Sequence, residues 1–232
     1  MENLLTSVII IFFTVAVAAL IFIIVGKKKR EKKVAILQLA QQNGWRYEEI
    51  IREQQEGYIL HGEGWTLEAL TSSSASTSEA GSSPLTHKNK WYTDVVTLQD
   101  GMVMIGKKLP QVPFGGISEM VMQKALRLML GSQGEAAMGL QEVQAGRSAF
   151  RERYSVWATS AEAAEKTLTY ELENALITWQ GKALPLLKLS GDGGEISTRE
   201  FRLENVEDVE ALVNLGKLVI GAYWEKPNLT TC

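Results

Sequence analysis

This chain is poor in the side chains that most chemistry requires. It has one cysteine, Cys232, and two histidines, His61 and His87, in 232 residues. A single thiol closes no internal disulfide, and with no residues after it Cys232 is not a prenylation site, so it reads as an incidental free thiol. Two histidines cannot build a multi-histidine metal centre. His61 beside Glu63 has the make-up of a base with an orienting carboxylate, but a lone turn histidine is far more often a solvated side chain. No serine sits in Gly-x-Ser-x-Gly or Ser-x-x-Lys. The glycine pairs Gly115-Gly116 and Gly193-Gly194 are followed by no Gly-Lys-Ser/Thr, so they read as turns rather than phosphate cradles. Asp192/Glu195 and Glu204/Glu207/Asp208 lack the dense spacing of a calcium loop and read as turn and cap residues. These absences predict no cofactor, no metal and no enzymatic activity.

Positive charge is also scarce, except in one place. The whole chain carries a net charge of −3. Beyond Val34 there are eighteen basic against twenty-five acidic residues, a net of −7. A domain of that sign is a poor fit to a phosphate backbone, so nucleic acid is not an expected partner. The exception is the block Lys27, Lys28, Lys29, Arg30, Lys32 and Lys33, with Glu31 among them.

What is present in quantity is one hydrophobic run. Residues 4–25 (LLTSVIIIFFTVAVAALIFIIV) are 22 residues without a charge. At about 1.5 Å per residue they would span roughly 33 Å, matching a bilayer core. The run is too long, and its N-terminal flank too acidic, for a cleavable signal peptide. The expectation is a transmembrane anchor over residues 1–26. The basic block would hold residues 27–44 as a juxtamembrane helix against anionic headgroups. By the positive-inside rule, the N-terminus would lie outside a cell membrane and a single-pass chain would place residues 45–226 in the cytoplasm. Residues 227–232 would form a tail.

The rest alternates between strand and helix signals. Residues 48–56 read as a charged helical turn, and 57–71 as a strand, a glycine turn and a strand. A serine-rich loop covers 71–90. Runs 91–98 and 102–107 flank Asp100-Gly101, the strongest hairpin signal in the chain. Residues 118–130 form a Met-rich apolar helix in which Met120, Val121, Leu126 and Met129 are the candidate partner contacts. Strand 154–158 leads through Thr159-x-x-Glu162, a capping box, into one long helix to about 180. Residues 185–190 and 195–203 read as a hairpin whose second strand, polar on both faces, suits a sheet edge. A last helix runs from Asn205 to about 220, with Val209, Leu212, Val213, Gly216 and Val219 inward. The order predicts an α+β fold: one N-terminal transmembrane helix, then antiparallel strand pairs and about four helices.

Several stretches carry a resemblance: Gly64-Trp65-Thr66-Leu67-Glu68, the run from Trp91 through Gly101-x-Val103-x-Ile105-Gly106, Tyr154-x-Val156 before Ala158-Thr159, and Leu215-Gly216. Through them the chain resembles a family of uncharacterised bacterial single-pass membrane proteins with a cytoplasmic α+β domain. The resemblance implies that architecture and a membrane location, and no activity. The function expected on these grounds is a non-catalytic membrane-tethered interaction domain. It would be an accessory or assembly subunit whose partners are the lipid bilayer and another membrane or peripheral protein. The alternatives are a small-ligand or lipid-sensing module, and an enzyme whose site no short motif reveals.

Overall fold

The computed structural model describes residues 2–73, 85–98, 101–108, 139–198 and 201–224, with side chains in the first helix described from Phe13 onward except at Ala16 and Ala18. The elements in chain order are α1 (Glu2–Gln42), β1 (Arg46–Arg52), β2 (Gln55–Gly62), β3 (Trp65–Ser73), β4 (Leu85–Thr93), β5 (Val103–Lys107) and β6 (Gln141–Val143). There follow α2 (Ser148–Arg153), β7 (Tyr154–Ala158), α3 (Ala161–Thr167), α4 (Tyr170–Ile177), β8 (Leu186–Ser190), β9 (Gly193–Thr198) and α5 (Val206–Trp224). The described strands form one sheet in the order β1-β2-β3-β4-β9-β8-β5-β7-β6. Every neighbouring pair is antiparallel. The α+β architecture with antiparallel strands is therefore present.

The core lies on one face of that sheet. Leu60, Leu67, Trp91, Val103, Ile105, Val156, Leu187, Leu189 and Ile196 pack beneath Ile36, Leu39 and Ala40 of α1, Leu172 and Leu176 of α4, and Val209, Leu212, Val213 and Val219 of α5. The strand contributions alternate in sequence, as a sheet covered on one side requires. The inward face predicted for the last helix is the one observed. Gly216 is what lets α5 come down onto the sheet. A Cβ there would lie 2.1 Å from Cε2 of Trp91, which is fully buried. The opposite face of the sheet holds a smaller cluster, Met104 and Trp157, with Leu140 and Leu186 against it.

Several local expectations are corrected. Residues 46–52 are a strand, not a helical turn, because they pair along their whole length with β2. Asp100-Gly101 does not close a hairpin: β4 pairs with β3 and β9, and β5 with β7 and β8. The β8–β9 hairpin sits between the two strands that the turn signal seemed to join. For the same reason β9 is central rather than an edge. The long helix after β7 is two helices. Ser160, not Thr159, caps α3 by accepting from the Ala163 amide, and Thr169 begins α4 by accepting from Leu172. Strand β4 begins at Leu85, inside the range expected as loop. Helix 118–130, with Met120, Val121, Leu126 and Met129, and the tail with Cys232 lie outside the described residues.

The largest correction concerns the N-terminus. α1 is a single helix of 41 residues that runs through Gly26 without a break. Among the described residues, no helix is long and apolar enough to cross a membrane. The spanning anchor in the expected fold is overturned, and the single-pass topology with it. With no such helix among the described residues, the positive-inside rule has nothing to orient, and the expected single-pass cell-membrane location with an outside N-terminus and a cytoplasmic domain is not supported. Phe13, Val15, Leu20, Ile21, Phe22, Ile23 and Val25 are exposed, and form the largest run of exposed apolar side chains among the described residues. α1 joins the core only at Ile36, Leu39 and Ala40, spaced for one helical face.

Gly216→Ala tests the seating of α5. Overpacking against an immobile buried ring is expected to cost about 1–3 kcal/mol. A urea midpoint unchanged from the parent protein would show that α5 and Trp91 can separate freely.

Candidate functional site

The basic block meets its own domain. Lys29 Nζ lies 3.3 Å from Glu56 Oε2, and Arg202 reaches the other oxygen of the same carboxylate at 2.8 Å. Arg202 Nε is 3.1 Å from Glu204 Oε1, whose second oxygen is 2.9 Å from Lys32 Nζ. The result is a continuous chain of alternating charge, Lys29–Glu56–Arg202–Glu204–Lys32, that begins and ends on one face of α1. Lys33 donates to Glu49 on β1 at 2.6 Å, and this hydrogen bond raises its ammonium above its ordinary value. Lys27 pairs with Glu31 on the helix itself at 3.9 Å.

Beneath these ion pairs is a cleft of about 200 Å³ between α1, the β1–β2 hairpin and residues 202–204. Its floor is apolar: Ile36, Ile50, Ala69 and Leu203. Tyr47 and Tyr58 stack on one wall, with centroids 5.8 Å apart and planes 17° from parallel. Gly57 is needed there because a Cβ would lie 2.0 Å from the Ala69 carbonyl oxygen on the paired strand. Two hydrogen bonds hold the segment that carries Arg202. Tyr58 donates to the Leu203 carbonyl at 2.9 Å, and the Asn89 amide donates to that of Phe201 at 2.9 Å. Burial pushes the Tyr58 phenol far above its ordinary value, so it stays a donor at any accessible pH. Burial also raises Tyr47. For Glu56, burial pushes the carboxyl up, but Arg202 and Lys29 together outweigh it and hold it below its ordinary value.

Three of the six basic candidates (Lys29, Lys32 and Lys33) thus line a cleft, while Lys27, Lys28 and Arg30 stand on exposed turns beside it. The expected partnership with a lipid bilayer is corrected, since among the described residues no helix is long and apolar enough to cross a membrane; Lys29, Lys32 and Lys33 pair with carboxylates of the chain itself. Tyr47, Glu49, Glu56, Tyr58, Arg202 and Glu204 were not legible as site residues. The one signal was the opposition of a +5 block to a −7 domain, which is complementarity within the chain.

The histidines do not converge. His61 on β2 is 3.5 Å from Glu48 and 3.4 Å from Thr66, not paired with Glu63, while His87 on β4 bonds Thr71 at 3.0 Å. Along β3 their partners are five residues apart. Glu195, read as a turn residue, sits on β9 and is held by Lys90 at 3.0 Å and Lys188 at 3.7 Å. Among the described residues, no group of three or more His, Cys, Asp or Glu side chains is arranged to hold a metal ion.

Comparison with family models, curated proteins and solved structures finds no match for this chain. The resemblance to single-pass membrane proteins is corrected on both counts: no family model supports it, and the described residues contain no helix able to span a membrane. The membrane-tethered accessory subunit falls with its tether.

The Glu56 shift gives a pH test. A carboxyl held below 4.5 when folded contributes stability above that pH, and loses it as pH falls through the folded value. Glu56→Gln is expected to lower stability at pH 7 by under ~1 kcal/mol, since the pair is half exposed. Urea unfolding at progressively lower pH should show that difference shrink, because the parent carboxyl protonates as pH falls through its folded value. A deficit that is constant with pH would mean the ion pairs contribute nothing.

Proposed function

We propose that this chain is a non-enzymatic binding module whose cleft under α1 holds a small molecule. The observation that carries this reading is the cleft's construction: an apolar floor, a stacked tyrosine wall and a charged rim, all positioned by hydrogen bonds from the sheet. Ligand pockets commonly combine apolar walls with a few placed polar groups. The same geometry argues for binding over catalysis. Glu49, Glu56 and Glu204 each pair with at least one cation within 3.3 Å. Tyr58 spends its hydroxyl on a backbone carbonyl.

The test is a fragment screen on the full chain carrying labelled isoleucine methyl groups. Ile36, Ile50 and Ile51 all line the cleft. Fragments that raise the melting temperature should shift these three methyl signals together. Stabilising fragments that leave all three unmoved would place the binding site elsewhere and refute the proposal.

A further inference from the structure

The balance of charge in the cleft selects among ligands. Four cations line it, Lys29, Lys32, Lys33 and Arg202, against three carboxylates, Glu49, Glu56 and Glu204, which leaves one positive charge uncompensated. Lys27, Lys28 and Arg30 on the adjoining turns, opposed by Glu31 alone, strengthen the positive field at the rim. Arg202 is the group best placed to use that excess. Its Nη1 is committed to Glu56 and its Nε to Glu204, while Nη2 has no hydrogen bond among the described residues. An Nη2 edge offers an acceptor two N–H bonds from a fixed plane. The floor below, Ile36, Ile50, Ala69 and Leu203, presents no polar side chain, and on the wall beside it Tyr58 spends its hydroxyl on the Leu203 carbonyl.

Resting on the reading of this cleft as a binding site, we infer that its ligand is a small monoanion with an apolar body, an aryl or short alkyl carboxylate. The carboxylate sits at Arg202 and the body on Ile36, Ile50 and Ala69. A cation has no carboxylate left to meet. A dianion exceeds the single spare charge and would leave the apolar floor unused. A volume of about 200 Å³ fits one ring with its head group.

Three probes with the same ring and different head groups, benzoate, benzyl alcohol and benzylammonium, test the class on the full chain by calorimetry, with the isoleucine methyl signals locating each. Benzoate is expected to bind about tenfold tighter than benzyl alcohol, equivalent to ~1.4 kcal/mol, and benzylammonium weakest. Raising the salt concentration should narrow that gap. Two variants separate charge from folding. Arg202→Gln should erase the preference for benzoate while benzyl alcohol still binds. Glu204→Gln removes a negative charge and should tighten benzoate several-fold, an effect opposite to that of a damaged fold. Benzyl alcohol or benzylammonium matching benzoate, or a weaker benzoate site in Glu204→Gln, would overturn the monoanion and leave the cleft as a binding site. Benzoate preference with shifts away from Ile36, Ile50 and Ile51 would overturn its placement. No shift at those methyl groups from any probe would overturn both readings.

Discussion

The contact between Trp91 and Gly216 sets the geometry on which the rest depends. Trp91 stands on β4 near the middle of the sheet, fully buried, and the missing side chain at Gly216 lets α5 rest on its ring. From there a line of aromatics runs outward. Trp65 stacks on Trp91 with centroids 6.5 Å apart, and Trp45 meets the edge of Trp65 at 5.2 Å. Lys217, next to Gly216, lies over the Trp45 ring at 5.5 Å. This line reaches the point where α1 ends and β1 begins, so the depth of α5 fixes where α1 lies. The cleft is the space left between α1 and the β1–β2 hairpin.

Two kinds of force hold α1 over that space, and their sizes differ. Burying Ile36 and Leu39 contributes roughly 1.5–3 kcal/mol for each side chain. Pairs as exposed as Lys29–Glu56 and Lys32–Glu204 contribute roughly 0–1 kcal/mol each. Apolar burial therefore docks the helix, and the ion pairs decide its rotation and what the cleft will accept. A network of weak, solvated pairs is also one that a competing anion can enter without a large penalty.

Legibility followed the range of the interactions. The turn at 63–64, the β8–β9 hairpin, strand β7 and the inward face of α5 were all readable, because each is set by residues within one turn or one strand of it. The Asp100-Gly101 hairpin failed although its signal was strong. Gly101 does adopt a positive φ, but the strands beside it take partners 47 to 109 residues away in sequence. A local turn preference of this kind, worth a kcal/mol or so, yields to a full ladder and two covered faces. The edge assignment for β9 failed likewise: its polar side chains, such as Glu195, are matched by Lys90 and Lys188 on both flanking strands.

The sequence alone determined that the chain is α+β, that residues 206–220 carry a helical apolar face, and that its charge is split between a basic block and an acidic remainder. These follow from composition and periodicity, which act along the chain. Tertiary structure decided what the split charge is for. A run of lysines beside an apolar segment reads as a flank facing headgroups, whereas folding brings Glu49, Glu56, Arg202 and Glu204 beneath it from two distant stretches. Coulomb attraction depends on distance in space and is blind to order along the chain. The opposite charges that complete the cleft are up to 172 residues away in sequence and 2.9 Å away in the fold.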